Sequence, residues 1–319
     1  TVRGGHTAMG RMAAPHPISI VTFKEDIMWK TVRKKAYLVL LLPALLISVS
    51  VVLIPGIQTI YASFTDWNGF AAEKHFLGLQ NYIKLFQNDY FRIAIKNNII
   101  WMVLFLTVPV VVGMGMALLL LQRKRSRNIL QMIFLIPYVL APVVTAMIFK
   151  NIIYSPTSGF IHFLNELNIG LNLSNPLTNR QFGIIAVAAV DMWHFWSYLM
   201  IIYLAALRQT PQEQLEAARL DGANFRQLFF NVYLPNIRPT VHLLSIMIVI
   251  FSFLAFDYVN LLTQGGPAHY TEVLATLAYT SAFSERRLGM ASAISVTMSI
   301  FGLIASVIYT RLTMKEERD

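Results

Sequence analysis

Asn97-Asn-Ile-Ile-Trp-Met-Val-Leu-Phe-Leu-Thr-Val-Pro-Val-Val-Val-Gly-Met-Gly-Met-Ala-Leu-Leu-Leu-Leu121 runs for 25 residues without an ionisable side chain. About 20 apolar residues in a helix, rising about 1.5 Å each, cross the hydrocarbon core of a bilayer. Lipid offers no partner to a bare backbone amide, so such a span must be helical. Working outward, six stretches of this kind occupy approximately residues 36–63, 93–121, 128–153, 183–207, 240–262 and 290–312. The whole chain agrees: 56% of it is hydrophobic, 13% is charged, and the mean hydropathy is +0.55. This predicts an all-α, polytopic membrane protein with six transmembrane helices.

The net charge of +10 does not point to nucleic acid. The basic residues sit in short clusters between apolar runs, without a basic stripe interleaved with aromatics. There are no cysteines, which excludes disulfides, thiolate metal sites and cysteine nucleophiles. The 26 Lys and Arg residues also set an orientation. With the N-terminus inside, the inner segments carry 18 of them and the outer segments 8. Both termini are then expected on the cytoplasmic side. The tightest clusters are Arg33-Lys34-Lys35 before the first span and Arg123 to Arg127 after the second.

Residues 1–35 read as a basic cytoplasmic tail with an interfacial helix near residues 23–29. Its apolar stretch, residues 18–23, is too short for a signal-peptide core. Residues 36–92 read as the first transmembrane helix with an extracytoplasmic loop, 93–312 as the core transmembrane domain, and 313–319 as a cytoplasmic C-terminal tail. Prolines recur inside the spans, at Pro43, Pro55, Pro109, Pro137 and Pro142, and are read as helix kinks that neighbouring groups can satisfy.

The segment between the fourth and fifth spans, Thr210 to Pro239, is polar enough to lie outside the bilayer. Thr210, Pro211 and Glu213 have the spacing of a capping box with proline at the first helical position. A helix to about Leu220 would end at Gly222 in the left-handed conformation. A second helix from Asn224 to Tyr233 would be stopped by Pro235. The expected product is two short helices with a sharp bend and an apolar face of Leu215, Ala218, Phe225, Phe229 and Val232. By composition alone this could equally be an amphipathic element resting on lipid headgroups.

Glu216-Ala217-Ala218, Asp221-Gly222-Ala223, Phe229, Val232, Leu234-Pro235 and Pro239 resemble the EAA loop of binding-protein-dependent ABC importer permeases. Tyr61-Ala62-Ser63-Phe64, Phe76 to Tyr82, Phe256-Asp257, Leu262 to Pro267, Thr271, Tyr279 and Ala282-Phe283 are similar to the carbohydrate-type members, the maltose and glycerol-phosphate permease relatives. Residues before Lys30 have no counterpart in the common pattern. The resemblance implies that the bent pair docks on a separate ATPase subunit and passes its movement to the membrane helices. Glu216 would contact the ATPase, Ala217 and Ala218 would permit close approach, and Gly222 would make the bend. It implies as partners a second paralogous permease, two ATPase subunits holding ATP and Mg, an extracytoplasmic solute-binding protein and a carbohydrate. The location implied is the bacterial cytoplasmic (inner) membrane.

Ionisable groups within spans are costly, and Asp191 and Asp257 are the two acids there. At helical spacing Asp191, His194 and Tyr198 share one face, and Phe253, Asp257, Asn260 and Gln264 share another. Trp193 and Trp196 could stack on sugar rings. These residues are candidates for the substrate pathway. The alternatives are interhelical hydrogen bonds for the polar groups and packing or lipid contact for the tryptophans. Ser292, Ser295, Ser299, Gly302 and Ser306 form a stripe of small residues, read as a helix–helix seam, as are Gly113 and Ala117.

No Gly-x-x-x-x-Gly-Lys-Ser/Thr stretch occurs, so any ATP site is expected on another chain. No His-Glu-x-x-His occurs, and the 7 scattered histidines suggest no metal site. An intramembrane hydrolase would need a nucleophile–base pair that the sequence does not offer. An ion-coupled secondary transporter would leave the bent loop unexplained.

Overall fold

The computed structural model describes residues 41–70, 73–123, 125–167 and 173–316. The expected tail at 1–35, its helix at 23–29, the start of the first span, Lys124 and residues 317–319 lie outside the described residues. By contacts the chain divides into Thr1–Gln58 and Thr59–Asp319. No strand occurs among the described residues, only an isolated bridge between Thr65 and Phe76. Five helices are long and apolar enough to cross a membrane, and a sixth span is counted if one bent pair is taken together.

The first helix, α1 (Leu41–Ala62), presents Leu46, Ile47, Val51 and Val52 as exposed apolar side chains. A π-helical turn, Val49–Leu53, immediately precedes Pro55. Proline has no amide to donate and its ring crowds the carbonyl four residues back, so a wider turn there relieves both defects.

Within the second unit, α2 (Gln80–Gln87) leads into α3 (Asp89–Gln122), which carries Pro109 in its interior. The main packing partner of α3 is α7 (Gly183–Arg208). Small residues set their approach. A Cβ on Gly113 would stand 2.9 Å from Leu199 Cβ and 3.0 Å from the Trp196 carbonyl oxygen, and Ala117 is fully buried. The close seam expected at Gly113 and Ala117 is therefore present.

The third span is not one kinked helix. It consists of α4 (Arg127–Val139) and α5 (Pro142–Ile153), bent by 89°. Leu140 and Ala141 are extended, with ψ of 133° and 141°. A residue before proline is pushed out of the helical region, and proline is well suited to the first helical position. Pro142 thus starts a helix where a kink was expected, while Pro137 does lie inside α4. The short α6 (Phe160–Glu166) follows.

The fifth span also differs from expectation. After α8 (Gln212–Leu220), one helical run, α9, covers residues 225–253 as Phe225–Leu228, the π turn Phe229–Tyr233 and Leu234–Phe253. Leu254 to Phe256 are not helical, and α10 (Asp257–Leu262) starts afresh. Phe253 consequently does not share a helical face with Asp257 and Asn260. Gln264 lies beyond the end of α10 with φ of 51°.

The loop after α10 contains a cis Gly266–Pro267 peptide and is tied down by two buried amides of α3. Asn97 Nδ2 donates to the carbonyls of Tyr270 at 2.9 Å and Glu272 at 2.7 Å. Asn98 Nδ2 donates to the Ser252 carbonyl at 2.7 Å, and its Oδ1 accepts from the Leu274 amide at 2.9 Å. Two polar residues at the start of an apolar span thereby become clamps on a distant loop. Then come α11 (Leu274–Tyr279) and the long α12 (Leu288–Glu316). Gly302 on α12 faces Phe253, whose Cβ lies 3.6 Å from the position a Gly302 Cβ would take, so the expected seam holds at this point. Ser295 and Ser299 bond carbonyls of their own helix.

Candidate functional site

Two features stand out, at different places on the same bundle. The first is the bent pair formed by α8 and the start of α9. Helix α8 begins after Pro211, whose ψ is 130°, and no side chain caps it. The capping box expected at Thr210 does not form. Thr210 still belongs to the end of α7, its amide donating to the Leu207 carbonyl at 3.4 Å, and it sits one residue too early to cap α8. Its hydroxyl is buried without a partner. The capping box lies instead across the bend. Asn224 Oδ1 accepts from the Gln227 amide and Gln227 Oε1 from the Asn224 amide, both at 2.9 Å.

Gly222 has φ of +78°, the left-handed conformation expected of it, and nothing lies within 4 Å of where its Cβ would be. The backbone, not crowding, calls for glycine here. Pro235 does not end the second helix. The π turn Phe229–Tyr233 precedes it as another precedes Pro55, and the helix continues into the bundle. The second half of the bent pair is therefore continuous with a spanning helix. Leu215, Leu228, Tyr233 and Ile237 are buried in the main core and anchor the pair, and Asn236 Nδ2 bonds Gln214 Oε1 at 2.8 Å across it.

Of the residues singled out from sequence, Glu216, Ala217, Asp221 and Gly222 are exposed, Ala218, Ala223, Phe229 and Leu234 are half-buried, and Pro235 is exposed. Glu216 Oε1 accepts from Gln212 Nε2 at 3.0 Å, one turn back. Beside them Leu220 is 89% exposed, and Phe225 and Phe230 are exposed as well. Sequence reading passed over Leu220, which sits between Arg219 and Asp221. Leu220, Phe225 and Phe230 together give the bent pair an exposed apolar surface beside its charged residues.

The second feature is an aromatic cup of about 160 Å³ between α3, α7 and α9. Trp101 and Phe105 come from α3, Asp191 and Phe195 from α7, and Phe251 and Ser252 from α9. Trp101 stacks on Phe105 with ring centroids 5.4 Å apart, and Phe105 meets Phe195 at 5.6 Å. Asp191 is the one acid in the lining, and Asp257 is near enough to interact with it electrostatically. At about 160 Å³ the cup is smaller than the roughly 300–1,000 Å³ usual for small-molecule sites, and it has room for part of a polyol, whose C–H face would stack on the rings while the carboxylate accepts from its hydroxyls.

Of the predicted pathway residues, Tyr198 stands beside the cup. It contacts Phe195 at 5.6 Å and stacks on Tyr138 at 5.4 Å, and Tyr138 also meets His194 at 5.2 Å. Among the described residues no hydrogen bond or ion pair joins Asp191 to His194. Trp193 and Trp196 pack edge-on against Phe149 and Phe134, and Phe253 packs in a different cluster, with Leu274 and Ile294. Asn260 is half-buried on α10 and does not line the cup. Sequence reading missed Trp101, Phe105, Phe195, Phe251 and Ser252. The pair Trp101 and Phe105, one turn apart, was the available signal.

Known proteins resemble this chain in sequence and in fold. Residues 109–316 match the family model described as binding-protein-dependent transport system inner membrane component. A probable ABC transporter permease protein of Pyrococcus horikoshii is 32% identical over 88% of this chain and 97% of its own length. A probable starch degradation products transport system permease protein of Thermoanaerobacterium thermosulfurigenes is 32% identical over 88% of this chain and 94% of its own. The fold is that of a chain in the crystal structure of a bacterial alginate ABC transporter in complex with alginate pentasaccharide-bound periplasmic protein, with a TM-score of 0.77 and 23% identity over 90% of this chain and 97% of that one. With its apolar helices and its match over most of its length, this multi-pass membrane protein belongs to the family of inner membrane components of binding-protein-dependent transport systems.

Proposed function

We propose that the chain is a permease subunit of an ATP-driven importer for a carbohydrate, forming half of the translocation pathway. The observation that carries this reading is the surface of the bent pair. Leu220 is 89% exposed beside Glu216 and Gly222, on a segment that continues into a spanning helix. That surface would seat an ATPase subunit that holds ATP and Mg, and movement there would be transmitted along α9. The cup between α3, α7 and α9 would hold the sugar midway, exposed to one side at a time. A second permease, two ATPase subunits and an extracytoplasmic binding protein complete the assembly in a bacterial cytoplasmic membrane. The relative named for starch degradation products supports a carbohydrate as cargo.

The test is uptake of labelled oligosaccharides by the reconstituted assembly. Uptake is expected to need ATP and the binding protein and to persist when ion gradients are collapsed. Uptake driven by an ion gradient without the ATPase would establish a secondary transporter instead. Ala255→Phe places a ring in a cup of about 160 Å³. Transport should fall to background while the complex still assembles and hydrolyses ATP at its basal rate. Normal transport in this variant would remove the cup from the pathway.

Orientation has its own test. Ser126 and Ser174 are both exposed, at opposite ends of the bundle in the proposed topology. A cysteine at Ser126 should be shielded from an impermeant thiol reagent outside intact cells, and one at Ser174 should react. The reverse pattern would invert the topology.

A further inference from the structure

A second cavity, of about 490 Å³, lies between α3 and α7 at the ends remote from the bent pair. That volume is within the roughly 300–1,000 Å³ usual for small-molecule sites. Its polar lining consists of Lys96, Asn97, Arg180, Gln181 and Tyr270. No carboxylate is among the lining residues. Among the described residues neither Lys96 nor Arg180 has an acidic partner, and the Arg180 guanidinium lies over the Tyr270 ring, 4.5 Å from its centroid. The acid on the neighbouring loop, Glu272, is turned away and engaged. Its carboxylate accepts from Thr276 at 2.6 Å and meets His269 Nδ1 at 2.7 Å. The Asn97 amide is spent on holding the Tyr270 and Glu272 carbonyls, which fixes Tyr270 as a wall of the cavity.

Lys96 and Arg180 are both exposed at this hollow with no carboxylate in its lining, so an anion entering it would accept charge-assisted hydrogen bonds from both. The helical register adds a direction. Asn97, Trp101 and Phe105 follow at intervals of four on α3, and Ile184, Asp191 and Phe195 fall on one face of α7. The cavity and the cup therefore lie on the same faces of α3 and α7, the cavity about one turn away along α3 and about two to three turns away along α7, toward its N-terminus.

We propose that this cavity is a binding site for an anionic group of the phosphate or carboxylate class, carried by a solute or by a lipid headgroup. Lys96 and Arg180 supply the charge, Gln181 and the Tyr270 hydroxyl supply neutral hydrogen bonds, and the Arg180–Tyr270 stack orients the guanidinium. This goes beyond the carbohydrate reading, since the cup itself holds an acid and no cation.

The experiment uses the full chain, purified with the subunits that accompany it, in phosphatidylcholine nanodiscs at low salt. Inorganic phosphate and glucuronate are titrated with glucose as the neutral control, following thermal unfolding. Phosphate and glucuronate should raise the unfolding midpoint and glucose at the same concentrations should not. The Lys96→Gln/Arg180→Gln double variant should weaken the anion response at least tenfold, since a hydrogen bond to a charged group contributes about 1.5–3 kcal/mol, a factor of ten or more. Lys96→Arg/Arg180→Lys should retain most of it. Raised salt should weaken it as well. A second arm adds phosphatidylglycerol and reads retained lipid by native mass spectrometry. Lipid retained by the wild type and lost from the double variant, with no response to soluble anions, would support the site and assign its ligand to the headgroup. Wild-type behaviour of the double variant in both arms, or no anion response in either, would overturn the proposal. The assay reads binding without transport, so its failure is separable from failure of the importer reading.

Discussion

Replacing Gly222 with valine is expected to abolish transport while leaving the chain inserted and paired in the membrane. The residue has φ of +78° with open space around its Cβ position, so the cost is conformational and local. An L residue in the left-handed region costs about 1–2 kcal/mol, and a β-branched one is a worse fit still. That is too little to unfold the bundle, but enough to redirect the bend that presents Glu216 and Leu220. Glu216→Ala acts on the same surface by another route. Within the chain Glu216 is exposed and bonded only to Gln212. In the proposed assembly its effect would come from the ATPase interface, where truncating one member of a buried charged pair costs on the order of 2–5 kcal/mol. Each 1.4 kcal/mol is about tenfold in affinity, so the loss should be visible as failure of the ATPase to co-purify. Where it still co-purifies, hydrolysis should no longer respond to the loaded binding protein. If both variants keep wild-type association and stimulation, the bent pair is an ordinary surface element.

Gly113→Leu should strongly damage folding. Its Cβ would lie 2.9 Å from Leu199 Cβ, 3.0 Å from the Trp196 carbonyl oxygen and 3.2 Å from the Met200 amide nitrogen. Two of these are backbone atoms of α7 and cannot swing aside. Overpacking typically costs about 1–3 kcal/mol and here also forces apart the most extensively packed helix pair. The expected result is a lowered unfolding midpoint and poor recovery of monodisperse protein. Gly115 is the internal control. It lies in the same helix with nothing within 4 Å of its Cβ position. Gly115→Ala should be neutral or stabilising, since alanine is favoured over glycine in a helix by about 1 kcal/mol. Equal stability of Gly113→Leu and wild type would contradict the packing described here.

Local features of this protein were legible in its sequence because their causes are local. An uncharged run such as Asn97 to Leu121 has one way to cross lipid, whatever surrounds it. The left-handed bend at Gly222 and the helix starting after Asn224 follow from glycine's freedom and from a capping side chain, both acting within a few residues. Proline was only half legible. Its missing amide is certain, but the response depends on the neighbourhood. A π turn precedes Pro55 and Pro235, Pro109 and Pro137 lie inside helices, and Pro142 begins a new one after an 89° bend.

The cup was not legible, because no periodicity relates Trp101 and Phe105 to Asp191, Phe195 and Ser252. Those residues meet only because Gly113 and Ala117 let α3 and α7 approach, and because α9 stops at Phe253. The same break put Asp257 and Asn260 on a separate short helix, no longer in register with Phe253. Asn97 and Asn98 make the point most directly. In sequence they are two amides at the edge of an apolar run. In the fold they bind a loop more than 170 positions away, a pairing set by which helices pack together and by the need to satisfy every buried amide.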